Sequence, residues 1–153
     1  MGLRSYMQQL SGADADVAVT TLASRIEALI DVGASTQWTF AIDPTIRLVA
    51  ALDRQVFLLA KELISNVQRH AQATAAGVCL TRDEAARLLL EVTDDGVGFA
   101  PNEVTAGSFG LRSVRLRAGN IGAELAIDSD GGGTRVRVII PAGTASLASP
   151  PNA

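Results

Sequence analysis

Hydrophobic positions change their spacing several times along the chain, and each change predicts a secondary-structure element. From Val17 to Val32 the apolar residues have roughly helical spacing, and Gly33 is expected to end that helix. The segment QWTFAI, residues 37–42, alternates apolar and polar residues, which predicts a strand. From about Leu52 the apolar positions step by four and three, which predicts a long amphipathic helix.

The second half of the chain predicts more strands and one short helix. Two strands are expected near Gly77–Thr81 and Ala86–Asp94, and a helix at Gly110–Gly119. Ala123–Asp128 and Thr134–Ile140 predict a hairpin with DGGG as its turn. Each strand has one apolar and one polar face, which suits a sheet covered on one side only. The predicted fold is therefore an α/β (α+β) two-layer sandwich, with helices on one face of a mixed, mostly antiparallel sheet.

Length, composition and charge narrow the class of protein. The chain has 153 residues, of which 48% are hydrophobic, and this predicts one domain over residues 17–141. We expect residues 1–16 to form a linker and residues 142–153 a disordered tail. The net charge of −3 argues against nucleic-acid binding. The chain lacks a membrane-length apolar run and an opening leader pattern, so we expect it in the cytoplasm.

The stretch DDGVG, residues 94–98, follows a predicted strand and carries the first candidate chemistry. By alternation Asp94 points to the same side as Leu90, which is the helix-covered side. A carboxylate in an apolar layer needs a hydrogen-bond donor, and the exocyclic amine of adenine is a good one. Gly96 and Gly98 would let the backbone pass close to a flat ring. The alternative interpretation is an ordinary Asp-Gly turn.

The stretch KELISNVQRHA, residues 61–71, places four polar residues beside the apolar stripe of the long helix. Positions three and four apart share one helix face, so Glu62, Asn66, Arg69 and His70 should form one row. An amide oxygen is a hard ligand for Mg²⁺, and basic side chains meet phosphate oxygens. The row thus suits a metal-bound polyphosphate, and the alternative is a solvated helix face.

Glycine also precedes the short helix in GSFGLRSVRLRA, residues 107–118. Free N–H groups at a helix start bind phosphate, so Gly107 and Gly110 mark a candidate phosphate contact. The alternative is a plain helix cap, with arginines that serve phosphate, a partner or solvent: Arg112, Arg115 and Arg117. In GGGT, residues 131–134, the simplest interpretation is a hairpin turn, and the other is that Thr134 backs an adenine pocket.

Taken in order, these stretches resemble the ATP-binding family of gyrase-type ATPases, Hsp90 chaperones, histidine kinases and MutL, called the GHKL group. ELISNVQRHA resembles its N box, DDGVGF its first glycine box and GSFGLRSVRLRA its second. The likeness runs from about Ala51 to Pro141. The wording is most similar to sensor histidine kinases that partner response regulators of the NarL type, the HisKA_3 subgroup.

The resemblance implies a fold, a ligand and a role for each residue. The fold would be the Bergerat ATP-binding fold, with ATP and Mg²⁺ as ligands. Glu62 and Asn66 would be catalytic, and Asn66 would also bind the metal. A lid at about Gly98–Ser108 would close over the phosphates. The residues implied to contact the nucleotide are Asn66, Arg69, His70, Asp94, Gly96, Gly98, Gly107, Phe109, Gly110, Leu111 and Thr134.

The resemblance also implies the partners. His70 is the only histidine and belongs to the nucleotide site, so the phosphoacceptor would be a separate dimerisation hairpin of the same or a split kinase. A response regulator would receive the phosphate from that hairpin, and the isolated domain would be a monomer. Val114 and Leu116 stand where the family's helix often has Met and Glu.

Two other functions share the fold. The chain could be a stand-alone serine kinase of the anti-sigma type, or a nucleotide-sensing module without catalysis. The R-H-A ending of ELISNVQRHA favours a histidine kinase over the serine kinase, and an intact Glu62 and Asn66 favour an enzyme over the module.

Overall fold

The computed structural model describes residues 21–30, 33–97 and 109–143, without the side chains of residues 70, 71, 109 and 110. The elements occur in the order α1 (Leu22–Glu27), β1 (Gln37–Ile42), α2 (Ala50–Asn66), a π-helical turn (Val67–Ala71), β2 (Ala75–Arg82), β3 (Leu88–Asp94), α3 (Phe109–Asn120), β4 (Glu124–Asp130) and β5 (Gly133–Ile140).

The five strands form one sheet in the order β1-β2-β3-β5-β4. β1 and β2 are parallel, whereas the pairs β2–β3, β3–β5 and β4–β5 are antiparallel. The predicted mixed, mostly antiparallel sheet is confirmed. Its register aligns one row across all five strands near one end of the sheet, and the row consists of Trp38, Ala76, Asp94, Thr134 and Ser129.

The core lies between one face of the sheet and the helices. Buried positions alternate along β2, β3 and β5, and in α2 they recur every three or four residues. This is the predicted two-layer sandwich with helices on one face. The fully buried large side chains are Ile26, Val56, Leu59, Leu63, Ile64, Val78, Leu80, Leu88, Leu90, Val114 and Ile140.

The first helix ends earlier than its apolar spacing predicts. α1 begins at the N-cap Thr21, which forms a capping box with Ser24, and it ends at Glu27 rather than near residue 32. After Glu27 the backbone hydrogen bonds change from the α-helical spacing to the i to i−3 spacing of a 3₁₀ turn. The N–H of Leu29, for example, donates to the carbonyl of Ile26 at 3.0 Å. The outer parts of the predicted helix, residues 17–20, 31 and 32, lie outside the described residues.

The polar row of the long helix does not continue along one α-helical face. α2 is α-helical through Asn66, and the next five residues wind into a π-helical turn that stops at Gln72, where φ is 54°. A π turn closes over i to i+5, so the spacing of the row changes after Asn66. The single α-helix predicted to carry the whole row therefore ends at Asn66, and Arg69 and His70 lie on the π turn instead. That these two residues form one row with Glu62 and Asn66 stays a prediction.

Candidate nucleotide-binding site

Asp94 ends β3 on the helix-covered face, in the register row that also contains Ala76 and Thr134. Its side chain is half-buried, and its Oδ1 accepts a hydrogen bond from the backbone N–H of Gly96 at 2.8 Å. Burial raises the pKa of the Asp94 carboxyl above its ordinary value. Its Oδ2 makes no hydrogen bond with the described residues, so this half-buried carboxylate suits a ligand that donates.

Two hydroxyl side chains continue the row beyond Asp94. Thr134 is the β5 residue opposite Asp94, and its Oγ1 lies 3.0 Å from the Oγ of Ser129. A cleft of about 430 Å³ is lined by Asp94, Thr134 and the β4–β5 turn. The structure thus places Thr134 beside Asp94, as a residue that backs an adenine pocket would be.

The polar end of α2 lies at the same end of the sheet as Asp94. Glu62 and Asn66 are half-buried at the edge of the buried stripe. The π turn ends at residue 71 and β2 begins at residue 75, next to Ala76, the partner of Asp94. α2 packs on the face to which Asp94 points. The helix and the strand therefore bring the residues predicted for the two ends of a nucleotide to one end of the sheet.

The N-terminus of α3 points to this end as well. Arg117, near the C-terminus of α3, donates to Oε1 of Gln55 in the first half of α2 at 3.2 Å, so the two helices run in opposite directions. A short turn then leads into β4, whose first residue, Glu124, lies at the sheet end remote from Asp94. The first backbone N–H groups of α3 and the positive end of its dipole therefore face the site.

The donor set fits a metal that arrives with phosphates rather than a metal held by the protein alone. Among the described residues there is no group of three or more His, Cys, Asp and Glu side chains that could hold a metal. Asn66 offers one neutral oxygen on a half-buried side chain. Mg²⁺ commonly takes one or two protein ligands and fills its octahedron with water and phosphate oxygens. The amide suits that role.

The remaining predicted contacts are placed in part. Gly98, Gly107 and the lid lie outside the described residues, and Phe109 and Gly110 are described only as the first residues of α3. Leu111 is buried in the core, so a nucleotide contact by its side chain stays a prediction. The two residues of α3 that differ from the family's usual Met and Glu have different environments. Val114 is fully buried, and Leu116 is 66% exposed.

Two residues that the sequence reasoning missed hold Asp94 in place. The carboxylate of Asp95 accepts hydrogen bonds from Thr74 and Ala75, at the start of β2. Gly133 lies so close to the backbone of Asp94 that a β-carbon would collide with its carbonyl oxygen. Both residues stand inside stretches that the sequence marks, Asp95 as the second aspartate of DDGVG and Gly133 as the last glycine of GGGT, but their contacts with Asp94 and β2 have no signal of their own.

Comparison with known families agrees with this geometry. Residues 52–144 match the family described as histidine kinase-, DNA gyrase B-, and HSP90-like ATPase. The chain belongs to this family, and the prediction of a GHKL-type ATP-binding domain is confirmed. In the part of the chain that the structure describes, none of the helices has the length and apolar composition of a membrane span.

Relatives of known name carry this domain within longer chains. Over 91 residues the chain is 36% identical to the sensor histidine kinase LiaS of Bacillus subtilis, covering 59% of this chain and 25% of LiaS. The sensor protein VraS of Staphylococcus epidermidis is 38% identical over 91 residues, covering 59% of this chain and 26% of VraS. The chain therefore spans about a quarter of the length of these relatives.

The fold itself recurs in solved structures. The blue-light activated histidine kinase of Erythrobacter litoralis EL346 superposes with a TM-score of 0.74 at 23% identity, over 86% of this chain and 45% of that one. The mycobacterial sensor histidine kinase MprB superposes with a TM-score of 0.63 at 15% identity, over 78% of this chain and 92% of that one. The predicted two-layer fold is confirmed.

Proposed function

We propose that the chain is the ATP-binding catalytic domain of a two-component sensor histidine kinase. It would transfer the γ-phosphate of ATP to a histidine on a separate dimerisation hairpin, for relay to a response regulator. The observation that carries the proposal is the half-buried Asp94 beside Thr134, at the sheet end reached by Asn66 and the start of α3. Similarity to LiaS, a sensor histidine kinase by name, supports the choice of reaction.

Each part of the site would act on a different part of ATP. The free acceptor capacity of Asp94 suits the exocyclic amine of adenine, which discriminates adenine from guanine. Asn66 would bind Mg²⁺ together with the phosphates. The N-terminus of α3 would add hydrogen bonds and partial positive charge at the phosphates. ATP supplies the phosphoryl group when bound, and the protein contributes positioning and charge neutralisation.

Glu62 is the candidate for handling a proton. It is half-buried one helical turn before Asn66, so its carboxylate faces the same region as the proposed metal ligand. We propose that it orients the attacking histidine or water, or accepts the proton. Arg69, which is exposed, and His70 would approach the phosphates from the π turn.

The finer assignment to the NarL-partner subgroup rests on two short sequence motifs alone. The text ELISNVQRHA and FGLR is typical of that subgroup. We propose that the final acceptor is a NarL-type response regulator and that the domain works in the cytoplasm, on its own or as part of a membrane-bound sensor. The dimeric state would be set by the hairpin, and the isolated domain would be a monomer.

A phosphotransfer assay tests the reaction. The chain is incubated with γ-labelled ATP and Mg²⁺, and with two acceptors: the helical hairpin of a related sensor and an anti-anti-sigma protein. We expect acid-labile, base-stable label on the hairpin, and less of it with an Asp94→Asn variant at a limiting ATP concentration. Acid-stable label on the second acceptor would make the chain a serine kinase, and nucleotide binding without transfer would make it a sensing module.

A further inference from the structure

The two neighbouring aspartates of DDGVG have different environments. Asp94 is half-buried, whereas Asp95 is exposed and yet accepts three hydrogen bonds. Its Oδ1 accepts from the backbone N–H groups of Thr74 at 2.9 Å and Ala75 at 3.0 Å. Its Oδ2 accepts from the Thr74 hydroxyl at 2.7 Å. Both carboxylate oxygens are thus engaged by the connection that leads into β2.

That connection begins directly after the π turn. Only residues 72 and 73 separate the π turn from Thr74. The start of β1 holds the other side of the connection. The Thr36 hydroxyl donates to the carbonyl of Ala73 at 2.8 Å, and the backbone N–H of Gln37 donates to the carbonyl of Thr74 at 2.9 Å. A segment held from both sides has little freedom to shift relative to the sheet.

The backbone completes the link at Asp95. Its N–H donates to the carbonyl of Ala75 at 3.1 Å, so the residue after Asp94 is joined to β2 by main chain and side chain together. The bonds with Ala75 and Thr74 also hold the pKa of the Asp95 carboxyl below its ordinary value, so it is ionised at neutral pH and acts as a strong acceptor.

We propose that Asp95 is a positioning residue that sets the distance between the adenine end and the phosphate end of the nucleotide site. It ties the segment after the π turn to the residue that follows Asp94. The proposal deepens the proposed function and rests on it. Asp95 does not touch the nucleotide in this assignment, and it acts through Asp94 on one side and through the π turn on the other.

Variants at both ends of the contact separate this role from a general effect on folding. Asp95→Ala removes all three side-chain bonds. Asp95→Asn keeps an oxygen for the two backbone donors, and its amide can donate to the Thr74 hydroxyl. Thr74→Val removes only the hydroxyl bond and keeps the backbone donors. All three are made in the full chain, and circular dichroism verifies that each is folded.

The measurement compares two ligands by NMR titration: adenosine, which would use the adenine end alone, and Mg²⁺·ATP, which would span both ends. We expect Asp95→Ala to weaken Mg²⁺·ATP by about tenfold and adenosine by less than about twofold, within the range of couplings between contacting groups. Asp95→Asn should restore both affinities to within about twofold of the unmodified chain.

Thr74→Val, which removes a single hydrogen bond, tests the proposal if Asp95→Ala does not fold. Thr74→Val should weaken Mg²⁺·ATP by about threefold and leave adenosine unchanged. Equal losses for both ligands, or no loss for Mg²⁺·ATP in any folded variant, overturn the positioning role. If Mg²⁺·ATP does not bind the unmodified chain, or if Asp94→Asn leaves its affinity unchanged, the proposed function fails instead.

Discussion

Gly133 faces the backbone carbonyl of Asp94 at a separation that leaves no room for a side chain. A β-carbon at position 133 would collide with the carbonyl oxygen and come within 3.1 Å of the Asp94 carbonyl carbon and the Asp95 α-carbon. The φ of Gly133 is 141°, which side-chain-bearing residues rarely adopt. The third glycine of GGGT is thus needed for the end of β3 to reach its position.

Gly133→Ala should destabilise the chain and weaken nucleotide binding. The strained backbone and the collision together predict a loss of about 2 to 4 kcal/mol in the free energy of unfolding. Urea denaturation measures it. Gly131→Ala in the same turn is the control, because its β-carbon would meet nothing within 4 Å, and its effect should stay within about 1 kcal/mol. Equal stability of the two variants would contradict the close approach.

Asp94→Asn should weaken adenine-nucleotide binding by about 1 to 3 kcal/mol, the scale for a hydrogen bond to a charged group. An asparagine side chain has one acceptor oxygen, which the N–H of Gly96 already engages. Its NH₂ group would face the exocyclic amine of adenine, and two donors cannot form a hydrogen bond with each other. Isothermal titration with ATP measures the affinity. Asp128→Asn, an exposed carboxylate in the same cleft, is the control and should leave it unchanged.

The stability of the domain should depend on pH with opposite signs at the two aspartates. Burial raises the pKa of Asp94 above 3.8, so its contribution to stability is present below that pH and is lost as pH rises through the folded value. Hydrogen bonds lower the pKa of Asp95, so its contribution is present above 3.8 and is lost as pH falls through the folded value.

Substitution with asparagine separates the two contributions. Relative to the unmodified chain, Asp94→Asn should gain unfolding free energy as pH rises above 3.8. Asp95→Asn should lose unfolding free energy, relative to the unmodified chain, as pH rises towards 3.8 from below. Denaturation curves collected on both sides of pH 3.8 give both differences. A constant difference for either variant would show that its carboxyl has the same pKa in the folded and unfolded chain.

Asn66→Ala should remove the magnesium-dependent part of nucleotide binding and spare the metal-free part. If the Asn66 oxygen is a ligand, affinity for Mg²⁺·ATP should fall by about tenfold, roughly 1.4 kcal/mol, while affinity for ATP in EDTA stays the same. Paired titrations measure both. Gln68→Ala is the matched control, since Gln68 is an exposed amide on the adjoining π turn. Magnesium dependence that survives Asn66→Ala would exclude this residue as the ligand.

Alternation and helical spacing were sufficient to predict the sheet, its covered face and the direction of Asp94. The strand predicted from QWTFAI matches Gln37–Ile42, and the predicted start of the long helix at about Leu52 lies two residues from Ala50. Those patterns succeed because burial on one face requires apolar residues at the period of the element. The predicted nearness of Thr134 to Asp94 follows from the strand register.

The π turn and the anchors of Asp94 could not be predicted in the same way. A π turn closes over one more residue than an α turn, and nothing in the sequence VQRHA distinguishes the two. The left-handed backbone of Gln72, which ends the turn, is evident only in the structure. The bonds of Asp95 with Thr74 connect residues 21 positions apart, and only the register of β2 and β3 brings them together. Such contacts depend on the assembled sheet and leave no periodic signal.

The proposed nucleotide contacts come from three stretches, near residues 66, 94 and 134, that are brought together only when the sheet and its helix layer are assembled. A ligand that joins them would therefore bind the native chain and not the unfolded one. Mass action then predicts that ATP at one hundred times its dissociation constant raises the free energy of unfolding by about 2.7 kcal/mol. The melting temperature should rise accordingly. A melting-point screen of nucleotides would thus rank ligands without labelled phosphate or a partner protein.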